Sequence, residues 1–217
     1  MREIKKKPKE KQTIKKDQIE LFKANISVAK FHNLVLDEFL ARHLKGYFTL
    51  SKIHILKPGD YLEDLILVTA GVVIVYYLDE KSKQNVELIF RAGQMVLLPA
   101  LLDSGKISKH FFSTSTHAEY VVLAKEQYRY LCKMNVAEKT FSYIVSRDYL
   151  ANLSERDEIL RKYGNPRVLA FFERFAELKG ETPRVNIERK MIASFIAVLD
   201  GSLSRSITRL KERGWDW

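Results

Sequence analysis

Cysteine is nearly absent: Cys132 stands alone in 217 residues. A single thiol excludes an intrachain disulfide framework, a multi-cysteine zinc site and a four-cysteine iron–sulfur cluster, and Cys132 itself reads as a buried core thiol. Long apolar runs are also missing. The longest, Leu65 to Leu78, is interrupted by Thr69 and Gly71. A membrane-spanning helix needs about 20 apolar residues, so no membrane partner is expected. Residues 1–20 carry lysines but no apolar stretch of the signal-peptide kind, and a cytoplasmic location is the expectation. The five histidines include no His-x-His pair, and neither a phosphate-cradling glycine loop nor a triad pattern is visible. The expectation is therefore a protein that is not an enzyme and holds neither metal nor other cofactor. His110 and His117, seven apart, read as strand residues at the surface rather than as ligands.

What is abundant is positive charge, a formal +10 with a sequence pI near 9.5, and its location matters more than its sum. Residues 1–16 hold Arg2 and seven lysines against Glu3 and Glu10, a balance of +6. Residues 17–154 are nearly neutral, with 16 basic and 15 acidic side chains, and residues 155–217 carry 13 against 10. The first segment has few apolar residues and reads as a basic flexible tail over 1–17, either simply solvated or an auxiliary attractor of phosphate. Hydrophobic residues make up 46% of the chain, enough for a folded core.

Periodicity divides the remainder. Apolar residues from Gln18 to Leu44 recur at threes and fours, as one or two amphipathic helices. From Tyr47 to Leu123 come short β-branched and aromatic runs: Tyr47–Leu56, Leu65–Tyr77, Val86–Phe90, Met95–Leu98, Phe111–Ser115 and Tyr120–Leu123. Pro58-Gly59-Asp60, Gly71, Ala92-Gly93 and Asp103-Ser104-Gly105 punctuate them, which predicts an antiparallel sandwich or barrel. Glu126 to Tyr163 lacks glycine and proline and predicts a short helix followed by a long one, Val136 to Tyr163. Gly164-Asn165-Pro166 breaks it, and Arg167–Leu178 predicts a further helix. The expected divisions are 1–17 tail, 18–135 barrel with flanking helices, 136–163 long helix and 164–217 helical C-terminal unit. On the long helix Phe141, Ile144, Tyr149, Leu153 and Leu160 form an apolar stripe. It suits either pairing with a second copy or packing on its own barrel.

The sharpest pattern lies near the end. Asn186 to Lys211 predicts two short helices meeting at a turn near Ala197. Ile192, Phe195 and Ile196 face inward on the first, and Leu203, Ile207 and Leu210 fall at i, i+4, i+7 on the second. Between them lie Ser202, Ser204, Arg205, Ser206, Thr208 and Arg209, a small, polar, cationic face that suits the major groove of DNA. Arginine bonds guanine O6 and N7, and hydroxyls reach phosphates or base edges. The plain alternative is a surface helical hairpin.

Ile192-Ala193-Ser194-Phe195-Ile196-Ala197-Val198, followed by Ser202-Leu203-Ser204-Arg205, resembles the helix-turn-helix of the Crp/Fnr regulators, the family of the cyclic-AMP receptor protein and FNR, and in particular divergent members of Bacteroidetes type. Gly59-Asp60, Gly71 and Gly93 are similar to the glycine punctuation of that family's jelly roll, and the resemblance covers roughly residues 30–214. It implies an α+β fold: an N-terminal antiparallel jelly-roll barrel like that of cyclic-nucleotide-binding domains, a long dimerisation helix, and a C-terminal helix-turn-helix of the winged-helix type. It implies a homodimeric transcription regulator that places a recognition helix, about Asp200–Lys211, in the major groove of a pseudo-palindromic double-stranded site, under an unidentified small-molecule effector. By resemblance Arg205 reads a base, Ser202 and Thr208 touch phosphate or bases, and Arg189 and Lys190 face phosphate. Ser204 belongs to the same polar face, and Arg209 joins it from its place one turn beyond Arg205. Phe141, Ile144, Tyr149, Leu153 and Leu160 become the dimer seam.

The chain departs from the family pattern in four places. Gly201 replaces a frequent glutamate, so the target sequence is expected to differ. Ala197 replaces the turn glycine. Leu199 occupies the usual capping position, leaving Asp200 to cap one residue later. The sequence stops at Trp217, so a truncated wing is expected; Trp215 and Trp217 are either its first strand or a cover for the helices. Cyclic-nucleotide binders of the family hold phosphate with an arginine, and Gly93 to Tyr120 contains none, so no cyclic nucleotide is expected. The rival reading is a ligand-binding or protein-interaction jelly roll with a degenerate helix-turn-helix.

Overall fold

The computed structural model describes residues 10–26, 34–61, 64–96, 109–134, 138–178 and 186–215. Among the described residues eight strands form two antiparallel four-stranded sheets. One has the order β1 (Glu10–Gln12), β2 (Lys45–Thr49), β8 (Ala118–Leu123), β4 (Leu65–Ala70). The other has the order β3 (His54–Leu56), β7 (Phe111–Thr114), β5 (Val72–Leu78), β6 (Gln84–Arg91). Two of the sequence runs are each split between the sheets. Tyr47–Leu56 yields β2 and β3, and Leu65–Tyr77 breaks at Gly71. There φ is +70°, and a Cβ would meet Ser115 Oγ at 2.8 Å and the Ala118 Cα at 3.0 Å, so the crossing requires glycine for both conformation and space. Met95 makes an isolated bridge to Leu67; Leu97 and Leu98 lie outside the described residues.

Both faces of the sheets are apolar, and the molecule is layered accordingly. On β4, Ile66 and Val68 point inward with Val73, Val75, Leu88, Phe90, Phe112 and Tyr120 to fill the space between the sheets. Leu65 and Leu67 point outward with Val121 and Leu123. They are covered by Phe22 and Ile26 of α1 (Lys16–Ile26), Leu36 and Leu40 of α2 (Leu34–His43), and Leu131 of α3 (Lys125–Lys133). The second sheet does the same on its other side. Val72, Ile74, Tyr76, Val86 and Ile89 share one cluster with Val168, Phe171 and Phe172 of α5 (Asn165–Arg174), Met191, Ile192 and Phe195 of α6 (Arg189–Phe195), and Leu203, Ile207 and Leu210 of α7 (Asp200–Glu212). A strand buried on both faces reads as a continuous apolar run, which is why Val72–Tyr76 shows no alternation.

A β-bulge sets which face β6 presents. Val75 pairs Leu88 but Tyr76 pairs Val86, so Glu87 is the extra residue. Val86 therefore turns outward, the parity switch expected of a bulge, and its N–H is bonded by Ser194 Oγ of α6 at 2.9 Å. α6 thus covers an edge strand that would otherwise expose its polar groups.

α4 (Glu138–Leu160) is the long helix. It is fastened to the barrel by the buried Asp148, whose Oδ2 accepts the Met95 N–H at 2.9 Å, and by Arg91, which pairs Glu155 at 2.7 Å. Among the described residues no helix is long and apolar enough to cross a membrane.

The described chain is already structured before the expected boundary at residue 18. β1 pairs with β2, Glu10 opposite Phe48 and Gln12 opposite Gly46, and Lys15 reaches Glu119 at 3.6 Å. The free edge of β2 offers backbone partners to any extended segment, apolar or not, so the polar composition of 10–12 carried no hint of it. Residues 1–9 lie outside the described residues. Trp215 covers the helices, its ring 5.6 Å from Phe172; Trp217 lies outside the described residues.

Candidate nucleic-acid interface

α6, its turn and α7 form the candidate interface. α6 closes in a Schellman arrangement: the Val198 N–H bonds the Ala193 carbonyl at 2.9 Å and the Ala197 N–H bonds Ser194 at 3.1 Å. Ala197 takes the left-handed position, φ +52°, where glycine is usual. Leu199 is the N-cap of α7 with extended dihedrals and makes no side-chain cap bond. The expectation that Asp200 caps the helix is corrected. Asp200 is already inside the first turn, where its carboxylate contributes only through the helix dipole.

α7 is divided lengthwise. Leu203, Ile207 and Leu210 are buried, while Gly201, Arg205, Thr208 and Arg209 are exposed and Ser202, Ser204 and Ser206 half-exposed. The buried side rests on α5 and α6, and α6 in turn rests on β6, so the polar face of α7 looks away from the barrel. Arg205 lies along its own helix, its Nε donating to the Gly201 carbonyl at 3.2 Å and a terminal nitrogen to Ser202 Oγ at 3.4 Å. No side chain at 201 obstructs it, and a Cβ there would meet nothing within 4 Å. Arg189 crosses from α6 to Ser204 Oγ at 3.3 Å, and Thr208 Oγ donates to the Ser204 carbonyl. Arg189, Ser202, Ser204, Arg205, Thr208 and Arg209 are thus brought to one surface.

Lys190 is placed differently. Its ammonium is 2.7 Å from Glu188, whose other oxygen is 2.6 Å from Lys52 of the barrel. Lys190 and Lys52 hold the Glu188 carboxyl below its ordinary value, and Glu188 raises Lys190 in return. Lys190 therefore joins the seam between barrel and helices rather than the α7 surface.

Of the expected dimer residues, Phe141 and Ile144 lie where only the backbone of α4 is described. Tyr149 and Leu153 pack against the cluster between the sheets, and Leu160 is half-buried. Among the described side chains of α4, Leu150 is apolar and 59% exposed; the expected seam left it out. His110 and His117 stand apart. His110 sits 3.0 Å from Glu87, while His117 occupies the β7–β8 turn at φ +49°. Among the described residues no group of three or more metal-ligating side chains is assembled.

Two arginines that sequence reasoning missed meet the turn. Arg156 of α4 donates to the Phe195 carbonyl at 3.1 Å, and Arg167 of α5 donates to those of Ile196 and Ala197 at 3.2 and 3.4 Å. Their partners are backbone carbonyls, which leave no sequence signature.

No protein-family model matches the chain, and no curated protein sequence matches it. Solved structures do. FixK2 from Bradyrhizobium japonicum superposes with a TM-score of 0.62 at 15% identity, over 79% of this chain and 86% of that one. A transcriptional regulator of the Crp/Fnr family from Eubacterium rectale gives 0.61 at 15%, over 84% and 85%. A CRP/FNR-family regulator from Thermus thermophilus gives 0.56 at 20%, over 78% and 87%. At these identities the likeness establishes the fold: the chain has the α+β architecture of Crp/Fnr regulators, an antiparallel barrel followed by a helical C-terminal unit.

Proposed function

We propose that the chain is a Crp/Fnr-type transcription regulator that binds double-stranded DNA as a homodimer. The observation that carries this reading is the division of α7: a buried apolar side seats it on α6, and an exposed small, polar, cationic side points away from the barrel. In a recognition helix such a face lies in the major groove, with Arg205 donating to guanine and Ser202, Ser204, Thr208, Arg209 and Arg189 contacting base edges or phosphate. Lys190 serves the seam to the barrel. The boundaries of the units are those of the sequence reading, with the barrel beginning at β1.

One reading head covers few base pairs, so two copies pair through α4. The seam is that of the sequence reading, Phe141, Ile144 and Leu160, while Tyr149 and Leu153 are engaged by their own barrel. The barrel senses an effector other than a cyclic nucleotide, since no arginine stands between Gly93 and Tyr120 to hold a phosphate. An enzymatic role is not part of this reading.

The experiment is selection of bound duplexes from a random pool. The expected result is an enriched pseudo-palindrome. Arg205→Ala costs about 1–3 kcal/mol on it and relaxes one position per half-site, and affinity falls steeply with salt. A pool with no enriched sequence, and no change on Arg205→Ala, supports the rival: a jelly roll with a degenerate helix-turn-helix.

A further inference from the structure

The end of α4 and the turn between α6 and α7 are joined by two guanidinium groups. Arg167, in the first turn of α5, donates from Nε to the Lys162 carbonyl at 2.6 Å and from one terminal nitrogen to Leu160 at 2.7 Å. From its other terminal nitrogen it reaches Ile196 and Ala197. Its plane lies 5.4 Å over the Tyr163 ring. Arg156, one turn before the end of α4, donates to Phe195 and lies 5.4 Å over the Phe195 ring. Three consecutive carbonyls at the close of α6 are thus held by arginines from α4 and α5. One of those arginines holds the closing carbonyls of α4 as well.

Carbonyls at a helix C-terminus lack intrahelical partners and carry partial negative charge. A planar five-donor cation is suited to bridging two such ends, and lysine, with a point charge and no fork, is not. The apolar seat of α6 on β5 and β6 already holds the helical unit to the barrel. What the arginines add is direction, because they fix the angle between α4 and α7. That angle has leverage. At 1.5 Å per residue the 13 residues of α7 span about 20 Å. A tilt of about 10° about the turn moves the far end by about 3.4 Å, one base-pair step of DNA.

We propose that Arg156 and Arg167 are positioning residues that set the separation of the two reading heads, and hence the half-site spacing the protein accepts. This rests on the reading of the chain as a dimeric DNA-binding regulator.

The test is selection from duplexes carrying two copies of the half-site at graded spacer lengths, with the wild type, Arg167→Lys and Arg156→Lys. The wild type is expected to concentrate on one spacer. Each variant is expected to select the same half-site, to spread over neighbouring spacers, and to lose about tenfold on the wild-type spacing, as loss of a charge-assisted hydrogen bond implies. Affinity for an isolated half-site stays within about twofold of the wild type. Arg156→Lys, which gives up one bond, keeps the test alive if Arg167→Lys fails to fold, as thermal melting reports. A variant that keeps the sharp spacer preference, or weakens equally on every spacer, overturns the proposal. A wild type that enriches half-sites without a preferred spacer overturns the clamp and leaves DNA binding standing. A wild type that enriches nothing overturns both.

Discussion

Ala197 and Gly201 stand four residues apart, and each occupies the conformation better suited to the other. Ala197 is held at φ +52°, where a Cβ crowds the following carbonyl. Gly201 lies in the first turn of α7 with open space where its side chain would be, and there it costs backbone entropy. Ala197→Gly and Gly201→Ala are each expected to stabilise the protein by about 1 kcal/mol, a rise of about 2–4 °C in Tm for a chain of this length. Differential scanning calorimetry of the two single variants checks it, and a fall in Tm for Ala197→Gly refutes the strained turn. Leu199 belongs to the same short stretch. A helix that begins without a side-chain cap, on a leucine 74% exposed, has stability to gain from serine there. The turn joining α6 to α7 is therefore far from its stability optimum at every residue that the family resemblance marked as a departure.

At the scale of elements, pattern and structure agree where a residue's burial is decided by its own strand or helix. The i, i+4, i+7 spacing of Leu203, Ile207 and Leu210 located the buried side of α7 correctly, and the run Leu65–Tyr77 yields two strands. What lies against a face was less legible. Nothing in β5 or β6 says that α6 is their cover, because that contact depends on the Glu87 bulge turning Val86 outward. Tyr149 and Leu153 have the same spacing whether they meet a second copy or, as observed, their own barrel. The arginines on the turn escaped notice for a related reason: charge-to-carbonyl contacts carry no partner residue to search for. The seat of α6 gives a direct test. Ser194 Oγ bonds the Val86 N–H, so Ser194→Ala leaves that donor with no partner and should cost about 1–3 kcal/mol. Ser206→Ala, on the half-exposed side of α7, should cost at most about 0.5 kcal/mol. Urea denaturation separates the two, and equal costs would mean that α6 is not held at the bulge.

For the whole molecule, the shared cluster makes the barrel and the helical unit mutually dependent, and acid should expose this. His54, exposed at the start of β3 but partly desolvated, is held below its ordinary value of 6.5, first by that desolvation and then by Lys52 and Lys57; its Nδ1 is 2.6 Å from Ser113 Oγ, and the rings of Tyr76 and Phe111 lie against it. The unfolded chain therefore binds this proton more readily, and stability present above pH 6.5 declines as pH falls below it. The Glu188 and Glu87 carboxyls act lower. Lys190 and Lys52 depress the first and His110 the second, both from 4.5. A depressed carboxyl contributes fully above its unfolded value and loses that contribution as pH falls through the folded one. Stability should thus fall in two stages, below pH 6.5 and again below 4.5. His54→Asn should remove the first stage and leave the second. Because Glu188 bridges Lys52 of the barrel to Lys190 of α6, and the cluster behind it contains both β5 and α7, each stage should lower a single cooperative transition rather than release the helices from an intact barrel. Far-ultraviolet circular dichroism and tryptophan fluorescence follow it together. Trp215 packs against Phe172 in the helical unit, and the circular dichroism reports strands and helices alike, so superimposable melts at every pH are the expected result. A fluorescence transition preceding the circular dichroism would show that the helical unit undocks by itself.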